Sequence, residues 1–324
     1  MKHKKILKSI LFFVILIGLM VGSSNVSRYI AVKTKDNSSL KRYAIETELL
    51  SEKENSIDVL VLGDSECYTS ISPYQIWGKI GVPAFLASQS GQSTGECYHL
   101  LKMALERQKP KVVFIEANLF YMYDGYKGAG MAAFNTLKNE YFGIFRYHSI
   151  WKSAFSHKHP PIKTFKGFGV YSAVQPAPNF ATYMQDRGET KDVSTPNKIW
   201  ADIIFNKVKS AGAKLVLYSA PSPMNHSLAK HKALSNLAKE YGADYLDMNT
   251  DERLQLDWAH DILDGGDHIN VSGAERTTNL VISYLMQYNL RDKRNDKEYS
   301  AWNEESKNYE NTVQPIIKQI REAQ

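Results

Sequence analysis

The chain is poor in cysteine, with two in 324 residues, Cys67 and Cys97. They stand at no metal-ligand spacing, so a metal-built fold has nothing to rest on. One disulfide between them is conceivable; the alternative is two free thiols packed as small hydrophobes. Internal repeats and long low-complexity segments are missing. So is any basic tract interleaved with aromatic residues, and with it the footprint of a nucleic-acid binder. The net charge of +6 owes much to Lys2, Lys4, Lys5 and Lys8, which leaves the remainder only mildly basic. At this length the chain can bury a sizeable core in one large domain or two small ones.

Those lysines precede the clearest topological signal. No charge stands between Lys8 and Arg28, and residues 10–21 are almost wholly apolar. The uncharged span approaches the roughly 20 residues a membrane helix needs. Lysines on its N-terminal side keep that end in the cytoplasm. The competing reading is a signal peptide cut near Val21-Gly22-Ser23. Both readings put everything after about residue 28 outside the membrane, and the uncleaved single-pass anchor is the expectation adopted.

Beyond a polar stalk over residues 29–55, the chain is organised around Ile57-Asp58-Val59-Leu60-Val61-Leu62-Gly63-Asp64-Ser65. An apolar run of this length, rich in β-branched residues, suits a strand covered on both faces. It ends at a glycine that permits a tight turn and leaves a serine at the strand's C-terminal edge, where open α/β sheets bind ligands. A loop from Thr69 then enters a helix. Further strands are expected at 83–88, 111–118, 213–219 and 244–247, with helices at 95–107, 198–211, 226–241 and 272–288. That alternation argues for a parallel sheet. Residues 120–190 break the rhythm without clean periodicity and read as an insertion forming a lid or substrate wall. The tail from Arg291 is charged, but Tyr309, Val313, Ile316, Ile317 and Ile320 form an apolar stripe able to dock on the domain.

Together these segments resemble the SGNH/GDSL family of esterases and acyltransferases over about residues 58–288. Gly63-Asp64-Ser65 is similar to its nucleophile block, with Glu66 in place of the usual leucine. Gly91 stands where the family has an oxyanion glycine, Asn118 matches the third-block asparagine, and His268 matches the catalytic histidine. The resemblance implies a flavodoxin-like three-layer α/β sandwich with a mainly parallel sheet over residues 56–290, behind one transmembrane helix. The family's last block is Asp-x-x-His, but Gly265 stands three residues before His268. Asp264 lies four before it and Asp267 one before, and both stay open as the triad acid. An extra glycine could restore Asp264 to its place.

The chemistry so implied is nucleophilic. A serine hydroxyl needs a base to take its proton, and a carboxylate to hold that base in one tautomer. Oxyanion donors would be the backbone N–H groups of Ser65 and Gly91 and the Asn118 amide. The expected function is an extracytoplasmic serine esterase or O-acyltransferase acting on a cell-envelope polymer, without metal or cofactor. Surface acyl-transfer proteins of the D-alanyl-lipoteichoic-acid and alginate O-acetylation types are similar in topology, which implies a membrane-bound O-acyltransferase as partner. A broad carboxylesterase and a non-catalytic binding subunit are the other readings. Asp64 is expected to fix the turn, and His260 with Asp261 forms a second acid–base candidate. His148 is read as a packing histidine, the His157/His159 pair as a solvated loop, and Trp77 and Trp151 as core.

Overall fold

Side chains alternate across a strand, so a strand covered on both faces must be apolar at every position. β1 (Val59–Gly63) meets that demand, and β2 (Ala84–Ser88) and β3 (Val112–Glu116) meet it up to their last residues, each strand being buried along its whole length. With β4 (Lys214–Ser219) and β5 (Asp244–Asp247) they form one sheet in the order β2-β1-β3-β4-β5. Every pairing is parallel. The computed structural model describes residues 2–34, 43–147 and 164–323.

The two faces of the sheet carry separate cores. Val59, Val61, Phe114, Val216 and Tyr218 point toward α3 (Ser65–Ser70), α4 (Pro73–Ile80), α10 (Val271–Leu285) and α11 (Ser300–Glu322). Leu60, Leu62, Val113, Ile115 and Leu217 point toward α2 (Ala44–Ser51), α5 (Thr94–Arg107), α8 (Thr195–Ser210) and α9 (Leu228–Tyr241). The three-layer parallel sandwich expected from the sequence is the fold found. Truncating a central side chain such as Phe114 to alanine costs about 3–5 kcal/mol.

The tail stripe docks as its spacing suggested. Tyr309, Val313, Ile317 and Ile320 are buried in the first core and Ile316 is partly so. Trp77 belongs to the same core, stacked on Tyr299 with ring centroids 5.5 Å apart. Cys67 and Cys97 are free and buried on opposite faces of the sheet, so the disulfide alternative falls.

α1 (Lys2–Thr34) is one continuous helix, long and apolar enough over His3–Ala31 to cross a membrane. Beyond its apolar run it meets the domain: Ser24 and Ala31 are buried, and Ile144 N–H donates to Ser24 Oγ at 2.9 Å. The insertion is more regular than its composition suggested, since it contains α6 (Gly125–Tyr141) and α7 (Ile144–Tyr147). Many large apolar residues of α6 face outward, so no inward stripe marks the helix in the sequence. His148, Trp151, His157 and His159 lie outside the described residues. The later part of the insertion forms a wall beside the loop before α10. Gln175 N–H donates to Ile262 O, Gly265 N–H to Gln175 O, and Val271 N–H to Tyr171 O, each at 2.9 Å.

Candidate active site

The chain leaves β1 through a constriction that only glycine passes. A Cβ on Gly63 would lie 2.5 Å from the Glu116 Cβ and 2.8 Å from the Cys67 Cβ. This lets β1 approach the end of β3 and lets α3 begin at once, so Ser65 opens a helix without an intervening loop. Asp64 caps that helix by accepting the Glu66 N–H at 3.0 Å, which is the turn-fixing role its position suggested. The site thus lies at the C-terminal edge of the sheet, where β1 has β2 on one side and β3 on the other. That is the switch point at which open α/β sheets bind ligands.

The loop before α10 brings the histidine. Gly265 and Gly266 have φ of +82° and +114°, the left-handed region that favours glycine. The turn they make folds Asp264 back onto His268. Asp264 Oδ1 accepts the His268 backbone N–H at 2.8 Å, and its Oδ2 lies 2.6 Å from His268 Nδ1. Asp267 Oδ2 is farther from the same nitrogen, at 3.5 Å. The opposite ring nitrogen, His268 Nε2, is buried and makes no hydrogen bond among the described residues. Burial pushes the Asp64 carboxyl up, against the Glu66 N–H that it accepts and the nearby His268. α10 starts just past this loop, its N-cap Asn270 accepting from the Ser272 and Gly273 N–H groups.

Between serine block and histidine loop lies a polar network that sequence reasoning did not assemble. Asn118 sits in the 3-10 turn Ala117–Tyr121 after β3, and Glu116 caps that turn by accepting the Asn118 and Leu119 N–H groups at 2.9 and 3.2 Å. The Asn118 amide donates to Glu66 Oε1 at 3.2 Å, and Asn225 donates to the same oxygen at 2.7 Å. Asn225 also donates to Asp267 Oδ1, so one side chain ties the residue after Ser65 to the residue before His268. Lys230 donates to Asn118 Oδ1 at 3.0 Å. The Glu66 carboxyl therefore occupies the Asn118 amide.

Burial pushes the Glu66 and Glu116 carboxyls well above the ordinary carboxylate range, and the nearby Asp64 carboxyl pushes both the same way. Burial lowers the Lys230 ammonium against the attraction of Glu66 and Glu116. Glu66 stood out in the sequence only as a departure from pattern. Asn225 and Lys230 carried no local signal, because they arrive from beyond β4 and meet the site only through the fold.

Gly91 lies after β2 with φ +58°, and its carbonyl accepts the Tyr123 hydroxyl at 3.2 Å. The second acid–base candidate divides: His260 Nδ1 is 2.8 Å from Asp257 Oδ2, while Asp261 is fully buried against Arg276. Another cluster escaped the sequence reading. Asp247 Oδ2 lies 3.0 Å from His226 Nε2 and 2.6 Å from His231 Nδ1. These donor atoms lie close enough together to hold a cation, as do those of Asp264, Asp267 and His268. In both groups, hydrogen bonds already join imidazole to carboxylate.

No protein-family profile and no curated protein matches the chain. Among solved structures it is similar to a lipase/acylhydrolase from Enterococcus faecalis, at 12% identity and a TM-score of 0.38, over 71% of this chain and 96% of that one. TesA is similar at 13% identity and a TM-score of 0.36, over 71% of this chain and 98% of that one. The psychrotrophic esterase EstA from Pseudoalteromonas sp. is similar at 14% identity and a TM-score of 0.32, over 71% of this chain and 94% of that one. Similarity at this distance says nothing of chemistry, which rests on the residues themselves.

Proposed function

We propose that the chain is a membrane-anchored, extracytoplasmic serine esterase or O-acyltransferase that acts on a cell-envelope polysaccharide or teichoic-acid-like polymer through an acyl-serine. The observation that carries the catalytic part is the state of His268. Its Nδ1 is held by Asp264, while its Nε2 is buried without a hydrogen bond among the described residues. An imidazole fixed through one nitrogen and unengaged at the other is what a general base for a nearby hydroxyl requires.

In this reading Ser65 Oγ attacks the ester carbonyl carbon as its proton passes to His268 Nε2. Collapse of the tetrahedral adduct breaks the bond to the alcohol oxygen, which takes that proton from His268 and leaves acyl-Ser65. Water attacking the acyl-serine gives hydrolysis, and a sugar or polyol hydroxyl gives transfer. Asp264 stabilises the imidazolium, and the Ser65 and Gly91 N–H groups with the Asn118 amide stabilise the oxyanion. Asn118 must turn from Glu66 or share its amide. A protonated Glu66 accepts less strongly and releases it more readily, which suits the upward shift of that carboxyl.

The anchor rests on α1 and its flanking lysines, and the extracytoplasmic side on the tendency of such lysines to stay in the cytoplasm. The polymer substrate and a membrane-bound O-acyltransferase as partner rest on the family resemblance. A second reading, a non-catalytic binding subunit of a surface acylation complex, is favoured by the occupation of the Asn118 amide by Glu66. Hydrolysis of p-nitrophenyl acetate by the purified full chain decides between them. The enzyme reading expects turnover that Ser65→Ala abolishes without moving the melting temperature. Turnover indistinguishable from that of Ser65→Ala, in a folded protein, supports the binding subunit.

A further inference from the structure

α6 packs inward through Ala129, Ala132 and Thr136, which are buried. Its contact with α5 is close enough that a Cβ on Gly95 would lie 2.1 Å from Thr136 Oγ1. Its other face shows the reverse of a soluble helix. Tyr126, Phe134, Leu137 and Tyr141 follow one another at helical spacing and are 55–81% exposed, with Met131 at the stripe's edge. Phe145 of α7 extends the row and is also exposed. Lys127 and Lys138 flank the stripe. Aromatic and aliphatic residues flanked by lysine are the composition of a helix lying in a membrane interface.

The position of the stripe says what covers it. Its C-terminal end meets α1 where that helix leaves its apolar run: Val21 is exposed, and one turn later Ser24 is buried and accepts the Ile144 N–H. Tyr141 lines a small cavity together with Ser24 and Asn25 of α1. The buried Arg146–Glu46 ion pair, joined by the Tyr147 hydroxyl, fastens α7 to α2 beside this junction. The other end of α6 begins two residues after Tyr123, whose hydroxyl binds the Gly91 carbonyl at the rim of the site. At 1.5 Å per residue, the helix spans about 25 Å between the two.

We propose that the outward face of α6 and α7 lies on the lipid bilayer, as an interfacial seat beside α1 that holds the strand-end site at the membrane surface. The seat rests on the anchored reading of α1. It limits substrates to esters and acceptors presented at the headgroup level, and favours bilayers with anionic lipid that pairs with Lys127 and Lys138.

The test uses the full chain in phosphatidylethanolamine/phosphatidylglycerol vesicles, spin-labelled at single introduced cysteines. Cys67 and Cys97 are fully buried, and burial pushes the Cys67 thiol up to about 12, so neither competes for label. Labels go at Leu11→Cys in α1, at Phe134→Cys, and at Ser210→Cys on the exposed end of α8. Collision with oxygen, which concentrates in lipid, is compared with collision with a water-soluble nickel chelate. The expected result is oxygen preference at positions 11 and 134, at least threefold above that at 210. Chelate preference at 134 with oxygen preference at 11 overturns the seat while leaving the anchor intact. Exclusion of both reagents at 134 overturns it in favour of a protein cover. Chelate preference at 11 removes the anchored reading itself, and the seat with it. Phe134→Ser with Leu137→Ser should also lower turnover of a vesicle-borne ester at least tenfold while sparing p-nitrophenyl acetate.

Discussion

Asp264→Asn is the substitution whose outcome the loop geometry dictates most narrowly. Asp264 meets His268 twice, with Oδ1 on the backbone N–H at 2.8 Å and Oδ2 at 2.6 Å from Nδ1. An asparagine there has one oxygen, and the backbone N–H can only be met by an acceptor. The amide NH₂ is therefore turned toward Nδ1, which must become an acceptor, and the ring proton moves to Nε2. A protonated Nε2 takes no proton from Ser65. The expected loss in kcat is about three to four powers of ten, or about 4–5.5 kcal/mol of barrier. Because Asp264 is 39% exposed, the altered contact with His268 changes stability by no more than about 1 kcal/mol. Asp267 stands 3.5 Å from the same nitrogen and accepts from Asn225, so Asp267→Asn should cost about tenfold or less. The assay is p-nitrophenyl acetate turnover beside thermal melts of all three proteins. A crippled Asp267→Asn with a nearly normal Asp264→Asn would refute the reasoning and adopt the shorter aspartate–histidine spacing.

Asn118→Ala should lower kcat by about two to three powers of ten if its amide serves the oxyanion, while an unchanged rate with a lowered melting temperature would make it a strand-end support. Glu66 is held above its unfolded value by burial, so its contribution to stability is full below about pH 4.3 and is lost as pH rises through the folded pKa. Glu66→Gln mimics the protonated form, and its melting temperature should exceed wild type at about pH 8, with the gap closing toward about pH 4; a pH-independent gap would contradict the shift. A reporter active only outside the cytoplasm, fused after Lys33, should be active in cells whose membrane fraction holds the protein. Release into the medium with a new N-terminus near Ser24 would support signal-peptide cleavage.

The sheet was legible because β1 and β3 are buried on both faces and so had to be apolar up to their C-terminal ends. The glycine pair before His268 was legible too, since two adjacent glycines announce a turn that ordinary side chains resist. The structure then ranks the two aspartates by distance, which spacing alone left open. What the sequence concealed are contacts made between distant segments. Asn225 joins Glu66, 159 residues away, to Asp267, and nothing local distinguishes it from any other loop asparagine. Lys230 reaches Asn118 across 112 residues of chain. α6 was hidden for another reason: periodicity reveals a helix by the face it buries, and here the large apolar residues are on the other side.

The central claim is that Ser65 becomes acylated with His268 as its base. Intact-mass analysis of the full chain, quenched in acid moments after mixing with p-nitrophenyl acetate, tests it directly. The expected result is one added acetyl group that maps to Ser65, is missing in Ser65→Ala, and is strongly reduced in His268→Ala. An unmodified Ser65 in a folded protein that still turns over the ester, or an acetyl group on another residue formed at the same rate in Ser65→Ala, would contradict the account.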